Sequence, residues 1–204
     1  MSFSNADTGS KNADPYKEKN YEDPSTEEKV QDLVDYISRE KFGMMTTYSS
    51  HSGTLASRCM AIAAKENGGI DLIFHTNTES GKTDDLKQDN AINMSFYNNT
   101  GEWASISGEA EIVTDRDTVK KYYSQELKTW VGDLGDGVHD GSENDPRIGL
   151  IRLKTKTATY ALARSNAISR GIEIVQGAFT GKTAQVNKLR ELSEQEVSSY
   201  RSSH

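Results

Sequence analysis

The sequence predicts a mainly β domain with flanking helices, an α+β arrangement in which short antiparallel strands close into a small barrel. Apolar and polar residues alternate over several short runs, as in Glu102 to Val113, where Ala104, Ile106 and Ala110 interleave with Trp103, Ser105, Ser107 and Glu109. Tight-turn signals, Asn67-Gly68-Gly69 and Asn99-Thr100-Gly101, separate such runs. Helical periodicity occurs before, within and after the strands but does not alternate with them, as a parallel sheet would require. Counting gives about six strands and no internal repeat.

Residues 1–24 are rich in Ser, Asn, Asp and Lys and read as a disordered tail. Ser25 then opens a helix: its hydroxyl caps the first turn, Glu28 closes a capping box, and Val30, Leu33, Val34 and Ile37 share one face. The helix ends near Lys41. Phe42 to Tyr48 and Thr54 to Lys65 follow as strands, and Asp71 to Thr76 pairs back after the Asn-Gly-Gly turn. A brief helix is expected over Thr83 to Asp89, then strands at Ala91 to Tyr97 and Glu102 to Val113. Asp115 caps a second helix running through Val119, Tyr122, Tyr123 and Leu127 to Val131. A Gly- and Asp-rich loop, 132–144, leads through Asp145-Pro146 to a strand over Ile148 to Tyr160. Ile172 to Val175 is a further candidate strand. The expected organisation is one domain over 25–190 with a polar tail over 191–204.

The chain has 204 residues, a net charge of -7 and 34% hydrophobic residues, which fits one core with polar extensions. The acidic balance argues against nucleic acid or an anionic membrane as the main partner, while leaving room for a local basic pocket. Cys59 is the single cysteine, so no intrachain disulfide forms, and its alternation with core residues favours packing over reactivity. Met1 to Asp23 holds no apolar run of the secretory kind and no stretch is long enough to span a bilayer, so a cytoplasmic protein is expected.

The chemistry concentrates between Ser57 and Trp103. Arg58 lies on a strand whose expected hairpin partner ends in Phe74-His75-Thr76-Asn77, and Ser80-Gly81-Lys82-Thr83 opens a helix directly afterwards. A guanidinium, an ammonium, a hydroxyl and free helix amides at one point form a phosphate site. On local chemistry alone a plain Ser cap with two solvated cations is the commoner arrangement. Gly81-Lys82-Thr83 and Gly181-Lys182-Thr183 both resemble the tail of a P-loop, but the first glycine of that motif falls on Thr76 and Gln176, which excludes a nucleotide triphosphatase of that class. His51, His75, His139 and His204 are scattered without ligand spacing, so no metal is expected, and His75 reads as a barrel-wall residue. No serine sits in a nucleophile elbow.

Leu55-Ala-Ser-Arg58-Cys-Met60, Leu72-Ile-Phe-His-Thr76 and Ser80-Gly-Lys82-Thr-Asp-Asp-Leu86 together resemble the general stress protein branch of the pyridoxamine 5'-phosphate oxidase-like superfamily, as do Trp103-Ala-Ser-Ile-Ser-Gly108 and Asp145-Pro-Arg-Ile-Gly-Leu-Ile-Arg152. They are also similar to that branch's fungal blue-light-induced members. The resemblance covers about residues 25–190. It implies a split β-barrel that binds FMN, with FAD disfavoured by the single phosphate cluster, and a homodimer with flavin at the subunit interface. Arg58 matches the strand arginine of the phosphate site, and Ser80 and Lys82 its grip at the helix start. Cys59 and Met60 match the isoalloxazine edge through their backbone, and His75 and Thr76 the pair on the neighbouring strand. Trp103 stands where the oxidases carry a flavin-contacting glutamine, with a buried core tryptophan as the alternative.

The departures bear on catalysis. The oxidases' substrate-phosphate lysine falls on Ala63, their C-terminal Arg-x-His motif has no counterpart, and Thr159-Tyr160-Ala161-Leu162 replaces a common tryptophan. Without those cations, pyridoxamine phosphate loses its charge-assisted contacts. What remains is a stress-response FMN protein, read either as an oxidoreductase of unspecified substrate or as a non-catalytic flavin buffer or redox sensor. A barrel that has lost flavin and serves as an interaction module is a third reading. No catalytic acid or base is assigned; His75, Tyr122 and Tyr123 are candidates by residue type alone.

Overall fold

The computed structural model describes residues 14–164 and 183–204. The first long helix, α2 (Thr26–Glu40), follows α1 (Pro15–Asn20). Ser25 Oγ accepts from the Glu28 amide at 3.2 Å, and Val30, Leu33 and Ile37 are buried together with Tyr36, whose hydroxyl donates to the Glu102 carbonyl at 2.9 Å. The strands are β1 (Phe42–Ser49), β2 (Thr54–Ala61), β3 (Ala64–Glu66), β4 (Asp71–Asn77), β5 (Ala91–Tyr97), β6 (Trp103–Val113), β7 (Ile148–Ala163) and β8 (Asn187–Leu192). They form an eight-stranded antiparallel sheet in the order β2-β1-β5-β6-β7-β4-β3, with β8 added to β7. Helices α3 (Gly81–Gln88), α4 (Arg116–Tyr122), α5 (Leu127–Val131) and α6 (Glu194–Ser203) flank it. None of the described helices is long and apolar enough to cross a membrane.

The two ends of the sheet, β2 and β3, are consecutive in the chain, and this closes the barrel. One strand is expected from Thr54 to Lys65, whereas the structure divides it. Residues 54–61 pair with β1, the Ile62 amide still bonds to the Lys41 carbonyl at 3.0 Å, and the Ala63 amide turns to the Ile73 carbonyl at 2.8 Å. Only Ala64–Glu66 pairs with β4, opposite Asp71 to Ile73. Arg58 therefore faces Met45 of β1 and is not paired with β4 as expected. Two more strands are present than the count from sequence, through this division and through β8.

The principal core fills the barrel with Phe74, Met94, Phe96, Ile106, Leu153 and Tyr160, sealed by α2 and by Val197 and Tyr200 of α6. A second cluster around Ile73, Val119 and Leu150 lies outside the sheet beneath α4 and α5. The second helix expected from Asp115 to Val131 is two: His75 Nε2 donates to the Tyr122 carbonyl at 2.7 Å, taking an acceptor that a continuing helix would use, and Tyr123 is extended.

Residues 14–24 and 191–204 hold more regular structure than their composition suggests. Over residues 14–24, expected as tail, Asp14 caps α1 and Lys17 reaches Glu191 at 2.7 Å, while buried Asn20 bonds to Ala184 and Asn187. Residues 191–204, also expected as tail, carry the end of β8 and then α6, started by a Ser193–Glu196 capping box. The polar groups there meet protein partners. Lys29, 2% exposed, lies between Asp23 and Glu196; Arg190 meets Glu22, Glu28 and Asp32; and Arg201 pairs with buried Asp71 through two bonds of 2.8 Å. Burial pushes the Asp71 carboxyl up, but the bonds from Arg201, Asn67 and the Thr155 amide more than reverse this and hold it below the usual carboxylate range. The candidate strand at Ile172 to Val175 lies outside the described residues.

At the β6/β7 bulge Ser107 faces Thr157 and Gly108 faces Thr155, so Lys156 is the extra residue. A Cβ on Gly108 would stand 2.1 Å from the Lys154 carbonyl oxygen, which is backbone and has little freedom to retreat. Gly108→Ala should therefore lower unfolding free energy by about 1–3 kcal/mol, seen in urea titrations as a lower midpoint at unchanged slope.

Candidate functional site

The change of partner at Ile62–Ala63 opens the barrel on one side. Beyond it, among the described residues, 54–61 of β2 have no strand on their outer edge and 74–77 of β4 are paired only with β7. Every second residue of an edge strand directs its amide and carbonyl away from its neighbour. Among the described residues, both walls of the split thus present backbone donors and acceptors with no strand opposite.

Side chains at its phosphate-like end are set by register. Opposed residues of an antiparallel pair share a face, so Arg58, opposite fully buried Met45, points inward with Thr47, whereas Cys59, opposite exposed Met44, points outward. Arg58 Nη1 donates to Thr47 Oγ1 at 2.9 Å and Nη2 to Asp85 Oδ2 at 3.1 Å, and Thr47 Oγ1 donates to the same carboxylate at 3.3 Å. Thr47 and Asp85 are buried and were not singled out from sequence; the Met45–Thr47 alternation and the Lys82–Asp85 helical spacing were the available signals.

Asp85 and Lys82 both lie on α3, which the chain enters from β4 through Asn77. The Asn77 carbonyl accepts from the hydroxyls of Ser80 at 2.7 Å and Thr83 at 3.1 Å, fixing the start of the helix. Ser80 is therefore not the expected side-chain cap: its hydroxyl faces Asn77 and accepts from Lys82 Nζ at 2.8 Å, leaving the first-turn amides without a side-chain acceptor. A Cβ on Gly81 would meet nothing within 4 Å, so the helix start is uncrowded at that position, while the Thr83 amide bonds to the Ser80 carbonyl at 2.9 Å. Burial pushes the Lys82 ammonium below the ordinary lysine value and the nearby Arg58 guanidinium pushes it further. Asp85 is the buried counter-charge of Arg58, while Lys82 bonds only to the Ser80 hydroxyl among the described residues, and the arrangement favours an added anion.

The structure brings Arg58, Ser80 and Lys82 together. Met60 points inward, packed against the barrel core. Thr76 is buried on the inner face of β4, but His75 points the opposite way, to the Tyr122 carbonyl, and burial lowers its pKa with that carbonyl opposing. His75 thus offers the split its backbone only. Trp103 is not buried in the core: opposite exposed Tyr97, it stands on the outer face of β6. Tyr122 donates to Glu66 at 2.6 Å and Tyr123 to the Gly141 carbonyl at 2.9 Å, both in bonds that hold loops and helices in place.

Comparison with known proteins gives three kinds of match. The family profile described as pyridoxamine 5'-phosphate oxidase like matches residues 28–185. Protein bli-3 of Neurospora crassa is 60% identical over 204 residues, covering 99% of this chain and 98% of that protein. Among solved structures, a general stress protein 26 homologue from Jannaschia superposes with a TM-score of 0.58 at 16% identity, covering 83% of this chain and 99% of its own. A pyridoxamine 5'-phosphate oxidase-related, FMN binding protein from Nostoc punctiforme gives 0.53 at 14% identity, covering 67% and 85%. At these identities the solved structures establish the shared split-barrel fold.

The state of Lys82 is open to direct measurement. In protein labelled by reductive methylation, its amine should titrate below the other lysines and move upward when inorganic phosphate is added, because an anion favours the charged form. A Lys82 resonance indifferent to phosphate would show that the split does not gather anions.

Proposed function

Because this chain belongs to the pyridoxamine 5'-phosphate oxidase-like family, we propose that it binds FMN in the split of the barrel and works as a flavoprotein. The observation that carries the reading is the pairing of two half-buried cations with uncapped helix amides at the end of a slot whose walls are strand edges. Arg58, Lys82 and the first amides of α3 fit a terminal phosphate. The peptides of Cys59 on β2 and His75 on β4 face the split, whereas those of Met60 and Thr76 turn to β1 and β7; these two edges fit the amide-like rim of an isoalloxazine, which presents both donors and acceptors. One anion cluster matches FMN better than FAD.

When bound, the isoalloxazine supplies reversible electron transfer. The protein's part is to bind and orient it and to exclude water from the slot. The side chains that could act as acid or base, His75, Tyr122 and Tyr123, are held in structural hydrogen bonds. This favours electron transfer without side-chain proton chemistry. It equally supports the second reading, a non-catalytic flavin carrier or redox sensor. Turnover of reduced nicotinamide by the flavin-loaded protein separates the two.

The outer face of the sheet supports a homodimer. Leu55, Ser57 and Cys59 of β2, Phe42, Met44, Thr46 and Tyr48 of β1, Ser95 and Tyr97 of β5, and Trp103 and Ser105 of β6 share it, and none carries a charge. Leu55 and Tyr97 are 73% and 77% exposed. A continuous surface of this composition is what an interface between copies buries. Trp103 lies on it, so its ring is offered to flavin across the interface and not from within its own barrel. Sedimentation should show a dimer at micromolar concentration, and Met44→Glu, which puts a charge in the centre of the face, should shift it to monomer. A monomeric parent protein would remove the dimer from this account.

Titration with FMN and riboflavin in parallel tests the site itself. FMN should quench saturably with a structured visible band. Replacing Arg58 and Lys82 together by Ala should weaken FMN at least about tenfold, while riboflavin, which lacks the phosphate, changes little. Equal losses for both ligands would show the phosphate assignment to be wrong.

A further inference from the structure

A carboxylate behind the cations of an anion site works against the anion it is meant to admit. Asp85 occupies that position. It is buried on α3, 3.1 Å from Arg58 Nη2 and 3.3 Å from Thr47 Oγ1, while Thr47 Oγ1 takes the other terminal nitrogen of Arg58 at 2.9 Å. The guanidinium is thereby held at both tips by acceptors that are themselves bonded to each other. Arginine carries a long flexible stem, and at the rim of a split, 32% exposed, it would otherwise sample many rotamers. The network restrains the guanidinium and leaves its other N–H groups without a further protein acceptor among the described residues.

We infer that Asp85, with Thr47 as the intermediate link, is a positioning residue that sets Arg58 to meet a terminal phosphate monoester and so makes the site discriminate phosphorylated from unphosphorylated flavin. The inference rests on the phosphate site proposed above. Its electrostatic and geometric effects have opposite signs, which makes it testable. Loss of a negative charge alone would tighten phosphate binding; loss of the orientation of Arg58 would weaken it.

The experiment uses the full chain with Asp85→Asn, Thr47→Val and Arg58→Ala, singly and combined, titrated with FMN and with riboflavin, with thermal melting alongside. Asp85→Asn should weaken FMN about tenfold and leave riboflavin within about twofold. In the Arg58→Ala background the same change should cost FMN nothing further, since there is no guanidinium left to orient. Thr47→Val should reproduce the FMN-selective loss in a milder form, and it carries the test if Asp85→Asn fails to fold. Tighter FMN binding by Asp85→Asn, equal weakening of both ligands, or an undiminished loss in the Arg58→Ala background would each overturn the positioning role. Arg58→Ala that treats FMN and riboflavin alike would instead remove the phosphate site, and this inference with it.

Discussion

The architecture depends on a single run of chain serving two sheet edges. Residues 54–66 run on in sequence without a turn signal, yet they hand over from β1 to β4 at Ile62 and Ala63. The exchange closes the barrel covalently, because the first and last strands of the sheet order are neighbours in the chain. It also limits β3 to three residues, so among the described residues the edge of β2 and the end of β4 have no strand to bond. Backbone groups left this way need other partners. Closing the barrel and opening the split are one event, and the position of the handover decides how long the slot is.

Charge is distributed unevenly around that slot. In a chain with a net charge of -7, acids outnumber bases at the sites that tie the ends of the chain together: Arg190 meets three carboxylates and Lys29 two. These clusters hold α6 and the segment before α2 onto the barrel. At the split the balance differs: Arg58 pairs with Asp85, while Lys82 bonds to the Ser80 hydroxyl and meets no carboxylate among the described residues. Burial first, and then the Arg58 guanidinium, lower the pKa of Lys82.

What could be read from sequence follows from what each signal measures. α2 was legible at both ends because Ser25, Glu28 and the Val30–Leu33–Ile37 face are local features, and β5 because turn residues bound a clean alternation. Alternation reports which face a residue occupies and not which strand it pairs with, so the handover at Ile62 was hidden and Arg58 was given the wrong neighbour. α6 was hidden for a different reason. Its polar residues, Glu196 and Arg201, are satisfied by Lys29 and Asp71, far away in sequence, and polarity alone suggested solvent. Arg58, Ser80 and Lys82 were named from a strand and a helix start, but the hydroxyl of Ser80 faces Asn77 instead of capping. Thr47 and Asp85 went unnoticed, since each resembles an ordinary strand threonine or helix acid until the barrel sets them side by side.

The division of labour within the slot also explains why the sequence speaks clearly at one end of it and faintly at the other. An anion needs charged side chains and a helix start, which leave a readable pattern. A flat heteroaromatic rim can be held by strand edges, and backbone groups are the same whatever the residue. Cys59 illustrates this: its thiol points to the outer face while its peptide belongs to the β2 edge. His75 does likewise, committing its ring to the Tyr122 carbonyl and leaving its peptide on β4. Side chains at those positions are thus free to serve the outer face of the sheet or the second core without disturbing the backbone edges of the slot.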